Sequence, residues 1–153
     1  MEKLLKKEDV MFMEKLHKGR QCFYFMEFEL VWCTSENKYL HPKVKKELHS
    51  VLSSIKEKQN DPEYKIKRIG VYDDYVRLRI EVTPKYNMTN ILRGVKGVPA
   101  KHILRKFPEL KSEQFKDGLW DGSSVVVTPN KDMEKQIENY LYERRIKSCI
   151  KLS

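Results

Sequence analysis

The sequence predicts an α+β domain whose antiparallel sheet is covered by helices. Three observations carry this expectation. Strand-like and helix-like periodicities follow one another in the order β-α-β-β-α-β-β-α, not as a regular alternation. Two strand-like runs, 64–72 and 75–82, are separated only by Asp73-Asp74, a connection that antiparallel neighbours can make and parallel ones cannot. A length of 153 residues suits one domain around one core.

Each element has its own local reason. Residues 2–18 set Leu4, Leu5, Phe12, Met13 and Leu16 between charges at mostly helical spacing. That pattern predicts an amphipathic N-terminal helix, a packing or partner-binding appendage. Residues 21–34 then place Cys22, Tyr24, Met26, Phe28, Leu30 and Trp32 on one face of a long strand. Pro42 suits the first turn of a helix over 42–58, whose stripe is Val44, Leu48, Val51, Leu52 and Ile55. "NDPE" at 60–63 breaks the chain before the paired strands. Residues 88–107 read as helical with a cap at Thr89 or Asn90, kinked or split where Gly94, Gly97 and Pro99 interrupt. Residues 117–128 give turn, short strand, turn and strand. The last helix, 131–147, carries Asp132 and Glu134 early and Arg144, Arg145 and Lys147 late, as the macrodipole favours.

Composition narrows the function classes. A hydrophobic fraction of 40% with two Trp, eight Tyr and six Phe residues opposes disorder. No apolar run reaches the roughly 18 residues of a membrane span, and no signal-peptide core is evident. A soluble, cytoplasmic protein is expected. Cys22, Cys33 and Cys149 form no C-x-x-C pair, so neither a disulfide scaffold nor a zinc site is supported. Cys22 and Cys33 are expected as small buried hydrophobes. Lys and Arg (31) exceed Asp and Glu (22) to give a net charge of +9, which makes nucleic acid the first partner to consider.

Ordered anchors run from "GRQCFYFMEFELVWCTSENKYL" through "TPKYNMTNILRGVKG", "FPEL" and "LW" to "IENYLYERR". In them the chain resembles the single-tyrosine HUH transposases of the insertion-sequence 200/605 group and their domesticated relatives. The resemblance implies a ferredoxin-like, IS200-like fold with a transposase-like domain over 20–148, a helical extension over 1–19 and a tail over 149–153. It also implies a helix-borne tyrosine that attacks single-stranded DNA and forms a 5′-phosphotyrosine link. Mg²⁺ or Mn²⁺, held by a His-hydrophobic-His pair and by a Gln four residues after the tyrosine, would polarise the scissile phosphate. A homodimer that binds DNA hairpins completes the implied picture.

The carry-over to this chain is uneven. Tyr140 matches the nucleophile, but the histidine positions hold Tyr75 and Arg77, and the Gln position holds Arg144. Arginine is a donor only and offers a metal no lone pair, and Tyr75 could ligate only as phenolate. The expectation is therefore no metal. A metal's Lewis-acid role supplies several kcal/mol, and each ~1.4 kcal/mol is tenfold in rate, so catalysis by Tyr140 is expected to be lost. Binding need not be lost. Guanidiniums grip phosphate bidentately, so Arg77, Arg79 and Arg144, with Arg93, Lys96, Lys101 and Arg105, are the expected nucleic-acid contacts. The leading expectation is a catalytically degenerate transposase-like protein that binds hairpin or single-stranded DNA, as a regulator or domesticated remnant. Two alternatives stand beside it. One is an active transposase in which arginines replace the metal around Tyr140; the other is an RNA-binding or protein-interaction regulator.

Overall fold

Period-two alternation sorts the side chains of the central strands onto two faces, and helices cover both. The structure, a computed structural model, describes residues 16–58 and 61–152. A short hairpin, β1 (His17–Lys18) and β2 (Phe23–Tyr24), precedes the main strand β3 (Met26–Cys33). A 3₁₀ turn leads into α1 (Pro42–Glu57), followed by β4 (Tyr64–Val71) and β5 (Tyr75–Val82). Then come α2 (Met88–Leu92), a π-helical turn over Arg93–Gly97, α3 (Val98–Lys106) and α4 (Pro108–Ser112). β6 (Val125–Val127) and α5 (Met133–Leu152) finish the chain. The sheet order is β4-β5-β3-β6, antiparallel throughout.

The larger core lies on the face where Leu30, Trp32, Val76, Leu78 and Ile80 meet Leu48 and Leu52 of α1 and Ile91, Val95 and Ile103 of the middle helices. The opposite face is narrower: Val31 and Cys33 pack under Met133, Ile137 and Leu141, which recur every fourth residue along α5. Pro42 occupies the first turn of α1, and the His41 side chain caps it by accepting from the Lys43 N–H at 3.1 Å. Among the described residues no helix is long and apolar enough to cross a membrane.

The expected α+β class is observed, with local corrections. Residues 1–15 of the expected N-terminal helix lie outside the described residues, and His17 and Lys18 at its end are in β1. The long strand starts at Met26, so Cys22 and Tyr24 belong to a separate hairpin and Cys22 is exposed. Leu119-Trp120 forms only a bridge from Trp120 to Thr34. The 88–107 helix divides where the glycines sit, but its cap is Asn87, whose side chain accepts from the Asn90 N–H at 3.2 Å. The Asp73-Asp74 turn closes as expected, with the Tyr72 N–H donating to the Tyr75 carbonyl at 2.9 Å.

Candidate functional site

The face under α5 carries the residues that the sequence singled out. Tyr75, Arg77 and Arg79 alternate along β5, opposite Cys33, Val31 and Glu29 of β3. Glu29 is only 5% exposed, and both Arg77 and Arg79 donate to it through their Nε atoms. Arg77 also grips Glu134 of α5 bidentately, Nη1 to Oε2 at 2.9 Å and Nη2 to Oε1 at 2.6 Å. Glu134, ahead of Glu29, holds the Arg77 guanidinium charged against its partial burial. Arg79 reaches Glu27 at 3.4 Å as well. The two forks expected to face phosphate are thus engaged by carboxylates of the same chain.

Tyr75 is enclosed by aromatic and cationic neighbours. Tyr72 stacks on it at 4.4 Å between centroids and 12° between planes, and the Arg145 guanidinium lies 5.9 Å from its ring centre. Burial, then the neighbouring Tyr72, pushes the Tyr75 phenol above its ordinary value, so the phenolate a metal would need is disfavoured. Arg145 in turn holds buried Asp74 through two bonds of 3.0 Å. Burial pushes the Asp74 carboxyl up, but the Arg145 and Asn37 hydrogen bonds outweigh it and hold the carboxyl below its ordinary value.

Tyr140 projects from α5 into a polar cluster. Its hydroxyl lies 2.8 Å from Ser123 Oγ, which donates to Asp121 Oδ2 at 2.6 Å. Arg144, one turn along, donates from Nη1 to the same Asp121 oxygen at 3.1 Å and to Ser123 Oγ at 3.2 Å. Lys96 supports this loop from below, donating to the Asp121 and Ser123 carbonyls at 3.3 Å and to Ser124 Oγ at 2.9 Å. Burial raises the Tyr140 phenol above its ordinary value in spite of Ser123 and Arg144, so it is protonated at neutral pH.

The expected contact residues therefore separate. Arg77, Arg79, Arg144 and Lys96 hold the protein's own oxygens, whereas Arg93, Lys101 and Arg105 are exposed with no carboxylate partner among the described residues. The four histidines stand apart: His17 meets Glu81, His41 caps α1, His49 meets Ser53 and His102 meets Glu47. A divalent metal does not fit the matched positions, which offer a phenol raised by burial and two guanidiniums without a lone pair. Sequence reasoning missed Glu29, Glu134, Asp74, Asp121 and Ser123. Only the charged odd positions of β3, Glu27 and Glu29, hinted at a complement for Arg77 and Arg79.

Comparison with known proteins decides the family. The family model described as "Transposase IS200 like" matches residues 22–144. The chain belongs to the IS200-like transposase family. The ISDra2 transposase TnpA of Deinococcus radiodurans is 28% identical over 130 residues, spanning 83% of this chain and 89% of that protein. A crystal structure of a protein from Deinococcus radiodurans R1 superposes with a TM-score of 0.74 at 27% identity. The superposition covers 84% of this chain and 97% of the other. Within this IS200-like frame, Tyr140 lies inside the matched span and Arg144 is its last residue.

Proposed function

We propose that this IS200-like protein binds hairpin or single-stranded DNA as a homodimer and does not cleave it by the family's metal-dependent route. One observation carries the reading: Tyr75, Arg77 and Arg144, which the resemblance sets at the metal-ligand positions, are each held by partners within the chain. A nucleophilic tyrosine needs an activating neighbour, and burial keeps Tyr140 protonated. The DNA backbone falls to the exposed cations Arg93, Lys101 and Arg105, supported by the net charge of +9.

The hydrogen-bonded chain Tyr140–Ser123–Asp121, with Arg144 beside it, favours a second reading. In it the phenol passes its proton through Ser123 to Asp121, the tyrosine oxygen bonds to phosphorus, and the bond from phosphorus to the 3′ oxygen breaks, the leaving oxygen taking a proton from solvent to become the 3′-hydroxyl. Incubation with hairpin-bearing single-stranded DNA, in Mn²⁺ and in EDTA, separates the two. The leading reading expects a shifted complex on native gels and no adduct on denaturing gels in either condition. An adduct that disappears in Tyr140→Phe overturns it, and persistence of that adduct in EDTA supports the second reading.

A further inference from the structure

We propose that the recess beside the β4–β5 turn takes an unpaired base of single-stranded DNA, stacked on Tyr72. The inference rests on the DNA-binding reading and adds a site to it. The recess has a volume of about 300 Å³, and Tyr39, Tyr72 and Tyr75 line it together with Lys45 and Arg145. That volume is at the small end of ligand sites, enough for one planar ring and too small for a duplex.

Two large aromatic side chains facing the same recess stay in water: Tyr39 is 69% exposed and Tyr72 44%. Rings of this size ordinarily bury most of their surface, so an exposed pair offers a ready stacking platform. The backbone that carries Tyr39 is anchored, and the Tyr72 ring is backed by another ring. The Leu40 N–H donates to the Asp73 carbonyl at 2.7 Å and ties the Tyr39 segment to the turn. The Gln114 amide donates to the Tyr39 carbonyl at 2.9 Å. Tyr72 is backed by the stacked Tyr75 ring, which Arg145 approaches in turn. Gly70 permits the Tyr72 ring to lie against the strand, since a Cβ there would come within 2.8 Å of it. A platform already ordered loses little conformational freedom when a base lands on it.

The cations beside the rings suit the backbone that brings the base. Arg145 spends Nε and Nη2 on Asp74, which leaves the Nη1 donors of its fork. Lys45 donates one of its three protons to Asp73 at 2.5 Å. Aromatic stacking with flanking cations is the sequence-tolerant way in which single strands are held.

The test compares a short oligothymidylate with the same backbone carrying abasic sugars, across a salt series. Wild type is expected to bind the base-bearing strand about tenfold more tightly, since each base stacked on an aromatic ring adds affinity. Tyr72→Ala should remove most of that preference while leaving the salt slope unchanged, and Tyr72→Phe should retain it. A 5-iodouracil oligonucleotide should photocrosslink at Tyr72 or Tyr39. Equal wild-type affinity for the two strands overturns the base site while the DNA-binding reading stands. Unchanged preference in folded Tyr72→Ala and Tyr39→Ala variants does the same. Tighter binding of oligouridylate than oligothymidylate overturns the assignment to DNA, and failure of every strand to bind at low salt overturns both.

Discussion

A carboxylate as enclosed as Glu29 is costly unless its charge is matched, and the β3–β5 register brings two guanidiniums to it. Arg77 and Arg79 are thereby structural groups as well as charges. The Arg77→Ala/Arg79→Ala double variant is expected to lose ~3–5 kcal/mol in urea unfolding, because it strands a buried anion. Adding Glu29→Gln should recover a large part of that loss. A loss below about 1 kcal/mol, or no recovery, contradicts the matched-charge account. The alternation that puts Tyr75, Arg77 and Arg79 on one face was legible in the sequence, since period two is a local property. Their partners were not: which carboxylate stands opposite Arg79 depends on strand register between positions fifty apart in the chain. The Ser123–Asp121 contact with Tyr140 was hidden for the same reason, because a turn shows its residues but not what they face.

α5 is held to the sheet by an apolar stripe of three residues and by two bidentate arginine–carboxylate pairs of opposite polarity, Arg77 with Glu134 and Arg145 with Asp74. The pairs differ in burial. The Glu134 side chain is 65% exposed, so its pair contributes ~0–1 kcal/mol, whereas Asp74 is buried. The folded state holds the Asp74 carboxyl below its ordinary value of 3.8. Its stabilisation is therefore complete above that value and is lost as the pH falls through the lower folded value. Urea unfolding should find Asp74→Asn less stable than wild type at neutral pH, with the gap closing below about pH 4. A gap independent of pH would show that the Asp74 charge does not hold the helix. Sequence periodicity located α5 but ended it at Lys147, whereas the helix continues to Leu152. It also merged β2 with β3, because Phe23 and Tyr24 keep the aromatic alternation while the chain leaves the sheet.

The whole molecule combines a family scaffold with a site that the proposed reading takes as rebuilt around arginines. The α+β class was readable because the strand-like and helix-like runs are distinct and strand-like runs twice follow one another directly, and the ordered anchors made the family legible before any geometry. The fate of individual cations was not readable, since Lys96 and Lys101 look alike in sequence although one holds a loop and the other faces water. The net charge of +9 predicts strongly salt-dependent DNA affinity. If Arg93, Lys101 and Arg105 each meet a phosphate, their triple Ala variant should lower the magnitude of the log–log salt slope by about 2 to 3. An unchanged slope would remove them from the interface. The central claim, that guanidiniums and a half-buried phenol stand in place of a divalent ion, is tested most directly by titrating the protein with Mn²⁺ and following the free-ion signal by electron paramagnetic resonance. The account predicts no saturable uptake that depends on Tyr75. A stoichiometric site that is lost in Tyr75→Phe would contradict it.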